Sequence, residues 1–235
     1  LAETQAELGP GVVHVQEIDI SNRESVFEFA TQVVAKFGPP DVLVNNAGIG
    51  HNGELRDTSV ACWRRLLEVN LLGAIHHVDA FAGHMKGRKG SVIANVSSGQ
   101  AFFRLPTWGA YAAVKAALGV YSEVLHHELR PWGITVCTVY PFMVNTGFYG
   151  EVKGGSLGTR ISMKLLPWYS MSAASVATHI HRAITARNRL ELVTPINRVA
   201  AVAAALPVIP ALIGWGANWF LGNRGEDHEV AEHAA

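Results

Sequence analysis

An α/β architecture, a doubly wound parallel sheet with helices on both faces, is expected from three features of this chain. Short runs rich in Val, Ile, Leu and Ala recur without polar interruption, the pattern of strands buried on both faces. Segments of helical periodicity separate those runs along the chain, which is the alternation that builds a parallel sheet. Asp19, Asn45, Ser98 and the turn at Pro141 all fall at or just past the carboxyl ends of the expected strands, where such sheets bind ligands.

The elements follow in order. Leu1 to Leu8 reads as the closing turns of a helix, stopped by Gly9-Pro10. Val12 to Ile18 is the first strand and ends at Asp19. An amphipathic helix runs from Arg23 to Phe37, with Ser21 as its N-cap, Glu24 as capping-box partner and Gly38-Pro39-Pro40 as its stop. Val42-Leu43-Val44 is a short buried strand, and a long helix from Val60 to Met85 carries Asn70. Ser91 to Val96 is a strand, Gly109 to Leu129 a helix, and Ile134 to Tyr140 a strand. Ala173 to Arg187 is a further helix and Leu190 to Thr194 the last strand.

At 235 residues the chain is long enough for one domain with a sizeable core. Its 19 Lys and Arg balance 19 Asp and Glu, and without a basic patch nucleic acid is not an expected partner. Cys62 and Cys137 are far apart, make no disulfide framework, and suit a reducing cytoplasm. Cys137 lies in an apolar strand and reads as a core residue. No metal is expected. His76-His77 and His126-His127 are adjacent pairs on helices, and His179 and His181 are two apart, so members of each pair face different ways.

Chemistry concentrates around Tyr111 and Lys115. Four residues apart on a helix, they share a face. A phenol ionises near pH 10, and a neighbouring ammonium favours its phenolate. Bringing that value to neutrality needs about 4 kcal/mol of differential interaction. Ser98, thirteen residues before Tyr111, supplies a hydroxyl to hold a carbonyl or alcohol oxygen while the phenol moves the proton. This apparatus suits carbonyl–alcohol redox chemistry. Gly48-Ile49-Gly50-His51-Asn52-Gly53 matches the dinucleotide pattern G-x-G-x-x-G, but the pattern requires a helix opening at its third glycine. Glu54 to Thr58 reads as a loop instead, so the match is taken as accidental.

In order, Asp19, Asn45-Asn46-Ala47-Gly48, Asn70, Ser98, Tyr111, Lys115, and Pro141 with Thr146 resemble the short-chain dehydrogenase/reductase family in its single-domain, Rossmann-type form. The resemblance runs from about Leu1 to about Thr194. It implies NAD or NADP as cofactor and a small alcohol or carbonyl as substrate. Tyr111 would be the general acid/base, and Lys115 would lower its pKa and bind the nicotinamide ribose. Ser98 would orient the reacting oxygen. Asn70 would shape a helix irregularity and complete the proton relay. Asp19 and Ile20 would meet the adenine, Asn45, Ala47 and Gly48 the adjoining ribose, and Pro141, Val144 and Thr146 the nicotinamide and phosphates. Ser98, Gly99, Tyr111 and Phe148 would face the substrate. Phe142 departs from the glycine that usually follows the proline in this family.

The family usually pairs its long helices into homodimers or homotetramers. It also begins with a strand, a glycine-rich turn, a helix and a second strand, which are expected to be absent here, and the NAD–NADP choice is read in that region. A non-catalytic or cofactor-deficient fragment or scaffold is therefore the rival reading.

Three regions are expected: a dehydrogenase domain over 1–196, an apolar helical tail over 197–223, and a disordered acidic end over 224–235. Phe148 to Trp168 would form a substrate lid, and its Phe148, Tyr149, Leu157 and Leu165 suit an apolar substrate. The tail carries no charge from Val199 to Asn223, long enough to cross a bilayer. Pro207, Pro210 and Gly214-Trp215-Gly216 favour two short helices. Trp215, Trp219 and Phe220 could sit at a lipid interface, so packing over the substrate site or a subunit partner, peripheral membrane contact and a true span all stay open.

Overall fold

Among the described residues, four parallel strands form one sheet whose spatial order equals their order in the chain. The computed structural model describes residues 14–103, 105–144 and 170–204, with Ile161, Lys164, Leu165, Trp168 and Gly216. Its elements are α1 (Arg23–Phe37), β1 (Val42–Asn45), α2 (Val60–Leu67), α3 (Gly73–Met85), β2 (Val92–Val96), α4 (Gly109–Leu129), β3 (Thr135–Tyr140), α5 (Ala173–Ala186), β4 (Leu190–Leu192) and α6 (Pro195–Ala204). Because neighbours run the same way, the chain must recross the sheet between them, and helices make those crossings.

Alternation sends side chains of each central strand to opposite faces. Ile93 of β2 and Val136 of β3 join Val26, Phe81, Met85 and Leu125 from α1, α3 and α4 on one face. Val92, Ala94, Cys137 and Val139 meet Ala183 of α5 on the other. Every residue of β2 is buried, at about 1.5–3 kcal/mol for each large aliphatic side chain taken from water. The doubly covered, parallel sheet expected from the sequence is present.

Several local expectations are corrected. Residues 14–18 adopt no strand: among the described residues β1 pairs only with β2, and an apolar run becomes a strand only when a neighbour takes its backbone hydrogen bonds. The cap of α1 is Asn22, whose side chain accepts from Ser25 N at 2.9 Å; Ser21 bonds Asp19 instead. The long helix expected from Val60 to Met85 is helical throughout, and its one irregularity falls at Asn70, as expected. A π turn, Glu68–Leu72, separates α2 from α3. Leu190–Leu192 is shorter than the strand expected to Thr194, because Thr194 caps α6 through Asn197 N. Helix α6 crosses the boundary drawn after residue 196, and its Asn197, Ala200 and Ala203 are buried. Most of the expected lid, and the tail beyond Ala204 except Gly216, lie outside the described residues.

Candidate active site

Helix α4 begins the site. Ala110, Ala112, Ala113, Ala116 and Ala117 are strong helix formers, and Tyr111 and Lys115 are both buried on its inner side. Ser97, at the end of β2, donates from Oγ to Lys115 O at 2.8 Å, tying the helix to the strand. Lys115 Nζ donates to Val96 O at 3.0 Å and lies 5.9 Å from the centroid of the Tyr111 ring. Trp108 packs edge-on against that ring at 6.0 Å. Burial pulls the Lys115 ammonium from its ordinary 10.5 down to about 8, since desolvation disfavours charge.

The next strand ends supply the remaining walls. Ser98 has extended backbone and its Oγ accepts from Gln100 N at 3.2 Å, which starts a short turn at Gly99. Gly99 N donates to Pro141 O at 2.7 Å. Ser98, Tyr111 and Lys115 line one cavity of about 500 Å³ with Asn46, Ala47, Gly48, Pro141, Met143 and Val144. Val144 is held by a bridge to Met171.

Asn70 acts from behind this wall. It is 1% exposed within the π turn. Its Oδ1 accepts from Ile49 N at 3.1 Å while Nδ2 donates to Ile49 O at 3.0 Å and to Leu66 O at 3.2 Å. A Cβ on Gly48 would stand 2.6 Å from Asn70 Oδ1, so only glycine lets the loop approach this closely. No helix opens at Gly53; a 3₁₀ turn, Leu55–Asp57, and then α2 follow.

The other expected residues are placed as follows. Asn45 donates from Nδ2 to Asn95 Oδ1 at 2.8 Å, bracing β1 against β2. The Asp19 carboxylate is exposed and accepts from the Ser21 hydroxyl and amide at 2.6 and 3.0 Å; those bonds hold its pKa below the usual value. Ile20 packs on Gly73, and its carbonyl meets His76 Nδ1 at 3.1 Å. Asp19, Ile20, Asn45 and Gly99 do not line the cavity. Thr146 and Phe148 lie outside the described residues. Sequence reasoning missed Ala173, Val176 and Ala177 at the start of α5, which complete the wall. Small apolar residues carry no chemical signature, and only the Ser172 cap marks that helix start.

These residues fit a nicotinamide dinucleotide. Ala47 and Gly48 leave backbone open toward the cavity, and the buried Lys115 ammonium offers donors suited to ribose hydroxyls.

The sequence matches the family described as short chain dehydrogenase over residues 1–155. It is 37% identical over 160 residues to the probable oxidoreductase EphD of Mycobacterium tuberculosis, covering 67% of this chain and 27% of that protein. It is 36% identical over 139 residues to the 3-ketodihydrosphingosine reductase of Bacteroides thetaiotaomicron, covering 59% of this chain and 51% of that one. The chain thus spans about a quarter to a half of these relatives' lengths. A short chain dehydrogenase/reductase of Burkholderia phymatum, solved in complex with NAD, superposes with a TM-score of 0.75 at 27% identity, covering 86% of this chain and 78% of that chain. Family match, parallel sheet and superposition agree that the chain belongs to the short-chain dehydrogenase family.

Proposed function

We propose that this chain works as an NAD- or NADP-dependent oxidoreductase that interconverts a secondary alcohol and a ketone, or an alcohol and an aldehyde. The carrying observation is that Ser98, Tyr111 and Lys115 line one cavity with Ala47 and Gly48. Ser98 holds the substrate oxygen. Tyr111 accepts the hydroxyl proton in oxidation and returns it in reduction, and the Lys115 ammonium stabilises the phenolate between those events. Asn70 holds the Ile49 backbone and so shapes the loop after β1. A bound nicotinamide supplies the hydride chemistry. Asn45, Ala47, Gly48, Pro141, Val144 and Thr146 hold that cofactor, with Asp19 and Ile20 toward its adenine end. Gly99 backs the turn that carries Ser98, and the substrate is apolar.

Fluorescence titration with NADH and NADPH, followed by Tyr111→Phe, tests this reading. The expected result is saturable binding that survives the substitution, with turnover of a ketone panel reduced at least about 100-fold. Binding of neither dinucleotide would favour the non-catalytic scaffold. Undiminished turnover in Tyr111→Phe would remove Tyr111 from the chemistry.

The same reading takes a second copy of the chain as partner, in a homodimer or homotetramer. Val60 and Leu67 on α2, with Val120 and Val124 on α4, are exposed apolar residues on the long helices. A monomeric mass by light scattering would overturn that assembly. Among the described residues no helix is long and apolar enough to cross a membrane. Peripheral contact through 199–223 is tested by liposome flotation with and without the residues after Arg198. The reduced cysteines suit a cytoplasmic setting.

A further inference from the structure

Asn197 is fully buried in the first turn of α6, and its side chain ends where two site-bearing segments meet. Its Nδ2 donates to Tyr140 O, the last carbonyl of β3, at 2.5 Å. Its Oδ1 has no hydrogen-bond partner among the described residues. That oxygen faces Gly99 so closely that a Cβ there would stand 2.6 Å from it, and 3.3 Å from both Cγ and Nδ2. Gly99 N in turn donates to Pro141 O. One amide therefore wedges between the turn carrying Ser98 and the strand end carrying Pro141. A buried, half-satisfied amide is costly compared with an apolar side chain, and its neighbours on the buried side of α6 are Ala200 and Ala203.

We propose that Asn197 is a positioning residue, which fixes the spacing between the Ser98-Gly99 turn and the Tyr140-Pro141 segment and so the point at which Ser98 holds the substrate oxygen. The inference rests on the oxidoreductase reading of the cavity for its consequence in turnover, but not for its geometry. Gly99 and Asn197 are thus a matched pair, since the amide occupies the space a side chain at residue 99 would need.

The test uses the whole chain as Asn197→Ala, Gly99→Ala and the double variant. Amide hydrogen exchange at Gly99, read by NMR without cofactor or substrate, should quicken on the order of tenfold in Asn197→Ala, while exchange within β2 and β3 stays unchanged. In ketone reduction kcat should fall on the order of tenfold with the cofactor KM unchanged. Gly99→Ala alone should cost a similar factor. In the double variant the methyl enters the vacated space, so the loss is smaller than the product of the two single losses.

A uniform rise in exchange across the sheet, or strictly multiplicative losses, would overturn the proposal. If wild type turns over no ketone while the exchange result holds, the catalytic reading fails and the positioning of the turn stands. Asn197→Ser, which also loses the reach to Tyr140, carries the same exchange test if Asn197→Ala does not fold.

Discussion

Lys115 donates from Nζ to the carbonyl oxygen of Val96 at 3.0 Å, in a site that leaves the residue 4% exposed. The contact joins the middle of α4 to the end of β2 and sets a cation on the cavity wall beside Tyr111. Its cost is desolvation, which is why the ammonium falls to about 8.

That value fixes the sign of a pH effect. Between about 8 and 10.5 the folded chain has released this proton while the unfolded chain still binds it, so stability rises with pH across that window. Below about 8 the full penalty is present, on the order of 3 kcal/mol. Measured against Lys115→Met by urea denaturation, wild type should gain about that much between pH 7.5 and 10.5. A difference that stays flat would mean that burial does not disfavour this charge.

Asn70 uses both ends of its amide on the backbone of Ile49. Asn70→Asp keeps the shape but turns a carboxylate toward the carbonyls of Ile49 and Leu66, now without donors. The loss should be on the order of 3 kcal/mol or more and should exceed that of Asn70→Ala, which leaves no charge buried. Thermal unfolding of the two variants decides; an Asp variant as stable as wild type would show that the clamp contributes nothing.

Gly119 sits within α4, where glycine costs about 1 kcal/mol against alanine, yet a Cβ there would stand 2.5 Å from the Tyr140 hydroxyl. Gly119→Ala should destabilise wild type by about 1–3 kcal/mol through overpacking. In Tyr140→Phe, with the oxygen removed, the same change should stabilise by up to about 1 kcal/mol. Equal effects in both backgrounds would sink this explanation of the glycine.

Thr107 carries a φ of 67°, a region that costs a β-branched residue about 1–2 kcal/mol. Its hydroxyl accepts from Asn52 Nδ2 at 2.8 Å and its carbonyl from Gly53 N at 2.7 Å, so the loop after β1 holds the chain that leads into α4. Thr107→Gly relieves the backbone but loses the hydroxyl bond, for a net change within about 1 kcal/mol. With Asn52→Ala already present, Thr107→Gly should stabilise by about 1 kcal/mol. Urea midpoints of the four proteins check this, and destabilisation in both backgrounds would contradict it.

The sequence by itself determined what is periodic and local. Helical spacing put Tyr111 and Lys115 on one face of α4, whose observed limits, Gly109 and Leu129, are those read from the pattern. Apolar runs of strand length predicted the buried central strands, because a strand covered on both faces has no position at which water tolerates a charge.

Tertiary structure alone decided the rest. Whether residues 14–18 enter a sheet depends on a neighbouring strand, and no local pattern encodes a partner's hydrogen bonds. The π turn at Asn70 holds the Ile49 loop from 21 residues away in sequence. Ala173, Val176 and Ala177 became cavity wall because α5 packs on β2 and β3, and Asn197, which reads as the start of an apolar tail, lies against Gly99 because β4 ends beside β3. Distances between segments far apart in the chain are set by strand register and core packing, and only the folded sheet brings them within hydrogen-bond reach.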